Sequence, residues 1–298
     1  MWFLFSLFSI LAWSGSDLFS KMGSKKDDKY SHWKMVIAVG IVMGLHAIYE
    51  MTLGGVVVTW NTILTYLPVS LLYISSMVLG YAGLRYIELS ISSPICNSSG
   101  AVASLLCFIF LHQTMNGLQF VGVALLCLGI IAFAVLERQR AADEIQAEIA
   151  AHGKKYSDSF LAILFPILYC ILDGLGTFAD ALVLDSGMLE ERPANVAYEI
   201  TFLFMAAVAF IYVQIIKKEK IMLSRENPKF LAAVCETAGQ FTYVFAIAAN
   251  AILAAPMIAS YCIFSVLWSH LFLKERLSKK HYVVIAAVMV GIFILGME

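Results

Sequence analysis

SSPICNSSGAVASLLCFIFL, residues 92–111, and AAPMIASYCIFSVLWSHLFL, residues 254–273, are two runs free of Asp, Glu, Lys and Arg that lie 162 positions apart. Each has the roughly 20 residues a helix needs to cross the hydrocarbon core of a bilayer. Laid over one another without a gap, they match Pro94 with Pro256, Ser98 with Ser260, Phe110 with Phe272 and Leu111 with Leu273. The same shift pairs Tyr81 with Tyr243 upstream, and Val121 with Val283 and Gly129 with Gly291 downstream. Superposing unrelated apolar sequence yields matching leucines and valines but not matching prolines, so the coincidence reads as an internal repeat.

Working outward, the chain of 298 residues is 61% hydrophobic, against about 45–50% for a soluble domain, and only 14% charged. Its charges come in bunches and leave long apolar runs that one water-soluble core could not hide. Strands of a membrane barrel would alternate over about ten residues, whereas these runs are unbroken for about twenty, so the spanning element is helical. Cutting at charge clusters and prolines gives ten spans, at 2–20, 33–53, 64–84, 92–111, 117–136, 159–183, 194–216, 229–249, 252–273 and 280–297. The expected fold is an all-α polytopic membrane protein with ten transmembrane helices. A first five-helix repeat covers 1–137, a connector 138–158, and a second five-helix repeat 159–298. Because five is odd, the second copy enters the membrane upside down, and inverted repeats of this kind are the architecture of secondary transporters.

Lys and Arg set the expected orientation. Of the 20 in the chain, 19 fall in the loops after the odd-numbered spans, and Arg192 alone falls on the other side. The positive-inside rule then puts both termini outside the cytoplasm of a multi-pass protein in the plasma or inner membrane. The first span lacks a basic n-region and is followed by Lys21, Lys25, Lys26, Lys29 and Lys34, the reverse of a cleavable signal peptide. The connector, rich in Ala, Glu, Gln and Arg, reads as a short cytoplasmic helix. Cys96, Cys107, Cys127, Cys170, Cys235 and Cys262 sit in apolar runs with no CxxC spacing, as small apolar residues do, and imply no metal and no cofactor.

The halves each end in a Pro-started helix, a short polar turn and a glycine-punctuated last helix. In this they resemble the EamA-type ten-helix permeases of the drug/metabolite transporter superfamily. Leu273-Lys274-Glu275-Arg276-Leu277 followed by Gly291 carries the best local match, and Trp13, Ser20 and Lys21 are similar to the family's first-helix pattern. Gln113 stands where the family usually has Glu in the first-half turn. The resemblance implies a permease for a small metabolite or drug, with the fifth and tenth helices peripheral.

Membrane-embedded acids are functional candidates by default, because an ionised side chain in hydrocarbon costs several kcal/mol. Asp173 lies near the middle of the sixth span and Glu236 near the middle of the eighth, whereas Asp180, Glu199, Glu50 and Asp17 lie closer to helix ends, where water or headgroups reach. Helical spacing aligns Tyr169, Asp173, Thr177 and Asp180 on one face, and Glu236, Gln240 and Tyr243 on another. Ser6, Ser9, Trp13, Asp17 and Ser20 make a third stripe, and Asn97 with Ser104 a weaker one. Interhelical hydrogen bonding alone also explains the Ser, Asn and Tyr positions. Packing or an interfacial belt is also a reading of Trp13, Trp268 and Tyr261, and the favoured one for Trp33 and Trp60 at span ends. His46 and His270 are the only basic side chains well inside spans, each equally readable as packing residue or proton carrier.

The expected substrate site is a midplane cavity walled by Trp13, Asp17, Tyr169, Asp173, Glu236, Gln240, Tyr243 and Tyr261. Carboxylates without an internal Lys or Arg favour a small organic cation, to which aromatic faces add attraction. Proton exchange through Asp173 and Glu236 is the coupling scheme that follows. A neutral or zwitterionic metabolite such as an amino acid is the alternative, its carboxylate received by a helix N-terminus at Pro94 or Pro256. A channel or membrane scaffold is a further one. An enzyme would need a nucleophile–base pair or an HExxH run, and an ATP-driven pump a GxxxxGK[ST] loop, neither of which occurs. Nucleic-acid binding has no basic footprint.

Overall fold

The computed structural model describes residues 1–24, 28–86, 89–152, 157–221, 225–275 and 277–297. Among these residues the regular structure is helical throughout. The order is α1 (Trp2–Gly23), α2 (Ser31–Thr52), α3 (Trp60–Gly83), α4 (Leu89–Asn97), α5 (Ser99–Phe110), α6 (Gly117–His152), α7 (Ser157–Asp185), α8 (Glu191–Phe210), α9 (Asn227–Ala259), α10 (Tyr261–Trp268) and α11 (Lys279–Gly296). α8 and α10 run on into π-helical turns at Ile211–Ile216 and Ser269–Leu273. Eight stretches are long and apolar enough to cross a bilayer. The last, Asn227–Leu273, has 47 residues, about twice what one crossing takes. Arg276, in the turn that carries the family resemblance, lies outside the described residues.

That last stretch breaks at Asn250, whose φ of −168° and ψ of 83° are extended rather than helical. The expected breaks at Pro94 and Pro256 are therefore corrected: both prolines sit inside helices. Each is the sixth residue of its stretch, counted from Leu89 and from Ala251. Proline's fixed φ suits a helix, and in a membrane neighbouring groups take up the carbonyl its missing N–H leaves free. The interruptions fall four residues later, at Ser98 (φ −60°, ψ −12°) and Ser260 (φ −66°, ψ −6°). At these points the amide bonds three residues back, Ser98 N–H to Ile95 O and Ser260 N–H to Met257 O.

Two further pairs 162 positions apart share geometry. His112 (φ 52°) and Lys274 (φ 60°) both turn the chain in the left-handed region, ending α5 and the turn after α10. The next residues each reach across to the start of the other half's broken helix. Gln113 Oε1 accepts the amide of Ile252 at 3.1 Å, and Glu275 Oε1 that of Leu89 at 3.4 Å. Free amides at the first turn of a helix need an acceptor, and in a membrane water does not supply one.

Helices pair across the two halves of the chain: α1 on α9, α3 on α7, α2 on α8, α5 on α9 and α6 on α11. α9 is central, with buried Ala232, Ala233, Ala246, Ala251, Ala254 and Ala255 along it. Lipid tails are as apolar as leucine, so helices in a membrane gain by close backbone approach, which small residues permit. The connector departs from expectation too: α6 runs unbroken for 36 residues to His152 rather than yielding to a separate short helix. The acids expected near solvent are also corrected. Asp180 and Glu199 are 0% exposed and Glu50 5%. Glu199 is held by His46 Nδ1 at 2.8 Å and Asn195 Nδ2 at 3.0 Å, and Glu50 by the Arg192 guanidinium at 2.7 Å, because α2 and α8 pack against one another.

Candidate functional site

Between the paired helices lies a cavity with about 940 Å³ of empty space counted out into the open solvent at its mouth. All eight residues expected to wall it do so: Trp13, Asp17, Tyr169, Asp173, Glu236, Gln240, Tyr243 and Tyr261. They come from α1, α7, α9 and α10, and it is the one-turn spacing along each helix that keeps them on a common face. The sequence pattern missed Tyr73 and Tyr81 of α3 and Tyr198 of α8, which also line it. Ser93 and Ser99, beside the flagged Asn97, complete the polar wall from α4 and α5. A tyrosine in an apolar helix carries no periodic signal of its own, although the pairing of Tyr81 with Tyr243 under the 162-residue shift was a pointer.

Three carboxylates face this space, and each is held by serine hydroxyls from another helix. Ser93 and Ser265 both donate to Asp17 Oδ2, at 2.5 and 2.7 Å. Ser99 donates to Asp173 Oδ2 at 2.7 Å, and Ser16 to Glu236 Oε2 at 2.7 Å. Among the described residues that line the cavity, none is Lys, Arg or His. A hydroxyl stabilises a carboxylate by orienting one dipole but does not neutralise it, so the site as built has acceptor capacity to spare.

Aromatic rings supply the rest of the wall. Trp13 lies against Gly239, where a Cβ would stand 2.4 Å from its ring, so only glycine lets the indole reach α9. There its N–H donates to Glu236 O at 3.3 Å. The Trp13 ring centre is 5.0 Å from that of Tyr243 and 5.7 Å from that of Tyr261. At the deep end the hydroxyls of Tyr73 and Tyr243 are 2.5 Å apart, and each is 3.2 Å from Thr177 Oγ1. These three side chains tie α3, α7 and α9 together and close the cavity there.

Other flagged polar residues lie elsewhere. Ser9 bonds Gly239 O and Thr242, Ser104 bonds Ile252 O, and Ser6 bonds its own helix at Trp2 O. These are interhelical or local bonds without access to the cavity. His46 pairs with Glu199, and His270 Nδ1 sits 2.7 Å from Glu275 O. Trp268 bonds Ser14 Oγ, and Trp60 is exposed. Among the described residues no group of three or more His, Cys, Asp or Glu is disposed to hold a metal ion. α6 and α11 contribute no described residue to the cavity.

Three comparisons bear on identity. The chain is 31% identical over 119 residues, 39% of its own length and 84% of the other's, to Uncharacterized protein MJ1333.1 of Methanocaldococcus jannaschii. A crystal structure described only as that of a protein superposes on 99% of this chain and 96% of its own with a TM-score of 0.67, at 10% sequence identity, which speaks for the fold alone. The profile of the EamA-like transporter family matches residues 1–135 and 161–297. With nearly the whole chain matched and a polar cavity enclosed by membrane-length helices, this polytopic membrane protein belongs to the EamA-like transporter family.

Proposed function

We propose that the protein is a secondary active transporter that moves a small organic cation through this cavity, coupled to protons through Asp173 and Glu236. The observation that carries the reading is the set of three carboxylates, Asp17, Asp173 and Glu236, in an aromatic-walled cavity with no Lys, Arg or His among its described lining residues. A cation entering supplies the missing counter-charge, and the faces of Trp13, Tyr169, Tyr243 and Tyr261 attract it further. When the cation leaves, protons take its place on the carboxylates, which ties substrate movement to proton movement.

The architecture of the proposal is ten crossings in two inverted halves, 1–137 and 159–298, joined by a cytoplasmic connector at 138–158, with both termini on the far side of the cell membrane. The matched breaks at Ser98 and Ser260, the matched turns at His112 and Lys274 and the reciprocal reach of Gln113 and Glu275 support the inverted repeat. The distribution of Lys and Arg supports the orientation. For the alternative, a neutral or zwitterionic metabolite, a helix N-terminus that receives a carboxylate would lie elsewhere than at Pro94 and Pro256, since neither starts a helix. The test is a current measurement on protein reconstituted on a solid-supported membrane, screened with quaternary amines, polyamines, guanidinium compounds, amino acids and sugars. Saturable currents from cations alone are expected. Currents from neutral amino acids in their place overturn the substrate class, and unsaturable flux points to a channel.

A further inference from the structure

One turn beyond Thr177 on α7, Asp180 is 0% exposed and lies outside the cavity lining. Tyr66 of α3 donates to its Oδ1 at 2.7 Å, and Oδ2 has no hydrogen-bond partner. Among the described residues no Lys, Arg or His forms an ion pair with it. Its titratable neighbours are tyrosines: Tyr66 and Tyr73 from α3 and Tyr243 from α9. α5, also packed on α7, brings Cys107, whose acidic neighbour is Asp185 rather than Asp180. On α4, Cys96 neighbours Asp17, Cys170 and Asp173, all in or beside the cavity.

Two carboxyls of α7 thus stand on opposite sides of the Tyr73–Tyr243–Thr177 cluster. Asp173 is in the cavity and Asp180 beyond the cluster, about 10 Å further along the helix axis at 1.5 Å per residue. A bare carboxylate sealed from water with one donor and no counter-charge is costly, whereas a carboxyl carrying a proton has no charge to solvate.

We propose that Asp180 is a proton-binding site whose carboxyl carries a proton while the Tyr73–Tyr243–Thr177 cluster is closed and releases it when the cluster opens to water, so that proton occupancy and closure of this end of the cavity are one equilibrium. The proposal rests on the secondary-transporter reading and deepens it, because it places the second proton position of an alternating-access cycle on the far side of the gate from Asp173. Tyr66 acts here as a positioning residue that holds the carboxyl in the closed arrangement.

The test is a distance measurement without substrate. Nitroxide labels are placed at Met188→Cys in the α7–α8 turn and Ala249→Cys at the break in α9, both exposed, in a background whose six native cysteines are replaced. Gln113, bridging Asp185 and Ile252, puts these two positions at the same end of the molecule. Pulsed electron resonance in lipid nanodiscs then reads their separation from about pH 5 to 8.5, a window that brackets shifted carboxyl values. With Asp180 intact, a longer-distance population is expected to grow as pH rises. Asp180→Asn, which mimics the neutral form, is expected to hold the short distance at every pH. Tyr66→Phe is expected to keep the transition but move its midpoint to lower pH, since the closed, protonated arrangement loses the hydrogen bond that holds it. An intact protein with no pH response, an Asp180→Asn protein that retains the response, or a Tyr66→Phe protein with an unmoved midpoint overturns the proposal. Because no substrate is present, failure here is distinct from failure of the cation reading.

Discussion

At the scale of single residues, the three serine-held carboxylates differ from the other buried acids in their partners. Glu199 and Glu50 have basic partners and lie away from the cavity, as structural ion pairs do. Asp173 and Glu236 are held instead by serine hydroxyls, Ser99 and Ser16, each at 2.7 Å. Asp173→Asn and Glu236→Gln keep shape and hydrogen bonding but remove the charge that replaces a counter-ion. Each is expected to reduce proton-coupled cation flux by two orders of magnitude or more, a loss of about 3 kcal/mol of interaction at 1.4 kcal/mol per tenfold. Elution as a monodisperse protein with an unchanged melting temperature checks that the fold survives. Normal transport by both variants removes the coupling assignment.

These two acids were legible from their central position in apolar runs, and Asp17 from its place in a stripe with Trp13. Asp180 was legible as polar but not as sealed. Distance from a helix end along the sequence does not reveal that Tyr66 of another helix closes over it.

Among elements, the decisive contacts are close approaches and cross-chain caps. Gly239→Val puts a branched side chain where a Cβ alone would stand 2.4 Å from the Trp13 ring, so either the indole or α1 must shift. Overpacking of this kind costs about 1–3 kcal/mol. A lower melting temperature with loss of cation binding is the expected result, and a variant that binds and melts like the parent contradicts the assigned Trp13 position. Gln113→Ala removes the acceptor for Ile252 N–H and is expected to destabilise by about 0.5–2 kcal/mol, as loss of a helix cap does. Gln113→Glu, which keeps an acceptor, should restore the melting temperature; no difference between the two variants would discard the capping role. The apolar runs were readable as membrane helices because runs of this length have few alternatives, and the gap between 229–249 and 252–273 held the break at Asn250. The helix starts expected at Pro94 and Pro256, however, lie inside helices, with interruptions at Ser98 and Ser260 instead. The proline pattern marked the right region, and packing chose the residue at which the helix yields.

For the molecule as a whole, the cavity carboxylates and the substrate compete for the same charge. If a cation displaces one proton on binding, its apparent affinity weakens as pH falls, by about tenfold per pH unit while the displaced group is protonated. The affinity levels off at high pH, where the site is already empty of protons. Binding measured calorimetrically from about pH 5 to 8.5 tests this, and a flat profile counts against exchange. Orientation is tested separately: a membrane-impermeant maleimide applied to intact cells should leave a cysteine placed in the 138–158 connector unlabelled, and labelling from outside reverses the proposed topology.

By itself the sequence determined that this protein is a helical membrane protein with a repeated pattern, because hydrocarbon demands long uncharged helices and tolerates few acids, both visible in one dimension. It also determined the faces on which Tyr169, Asp173, Glu236, Gln240 and Tyr243 lie, since helical spacing is a property of a single element. Only the tertiary structure decided which faces meet. It set Ser93, Ser99 and Ser265 against the carboxylates, laid Trp13 on Gly239, closed the cavity with Tyr73, Tyr243 and Thr177, and left Asp180 sealed beyond them. Those contacts join residues up to 248 positions apart. No local pattern encodes them, because they arise from the packing of one helix against another.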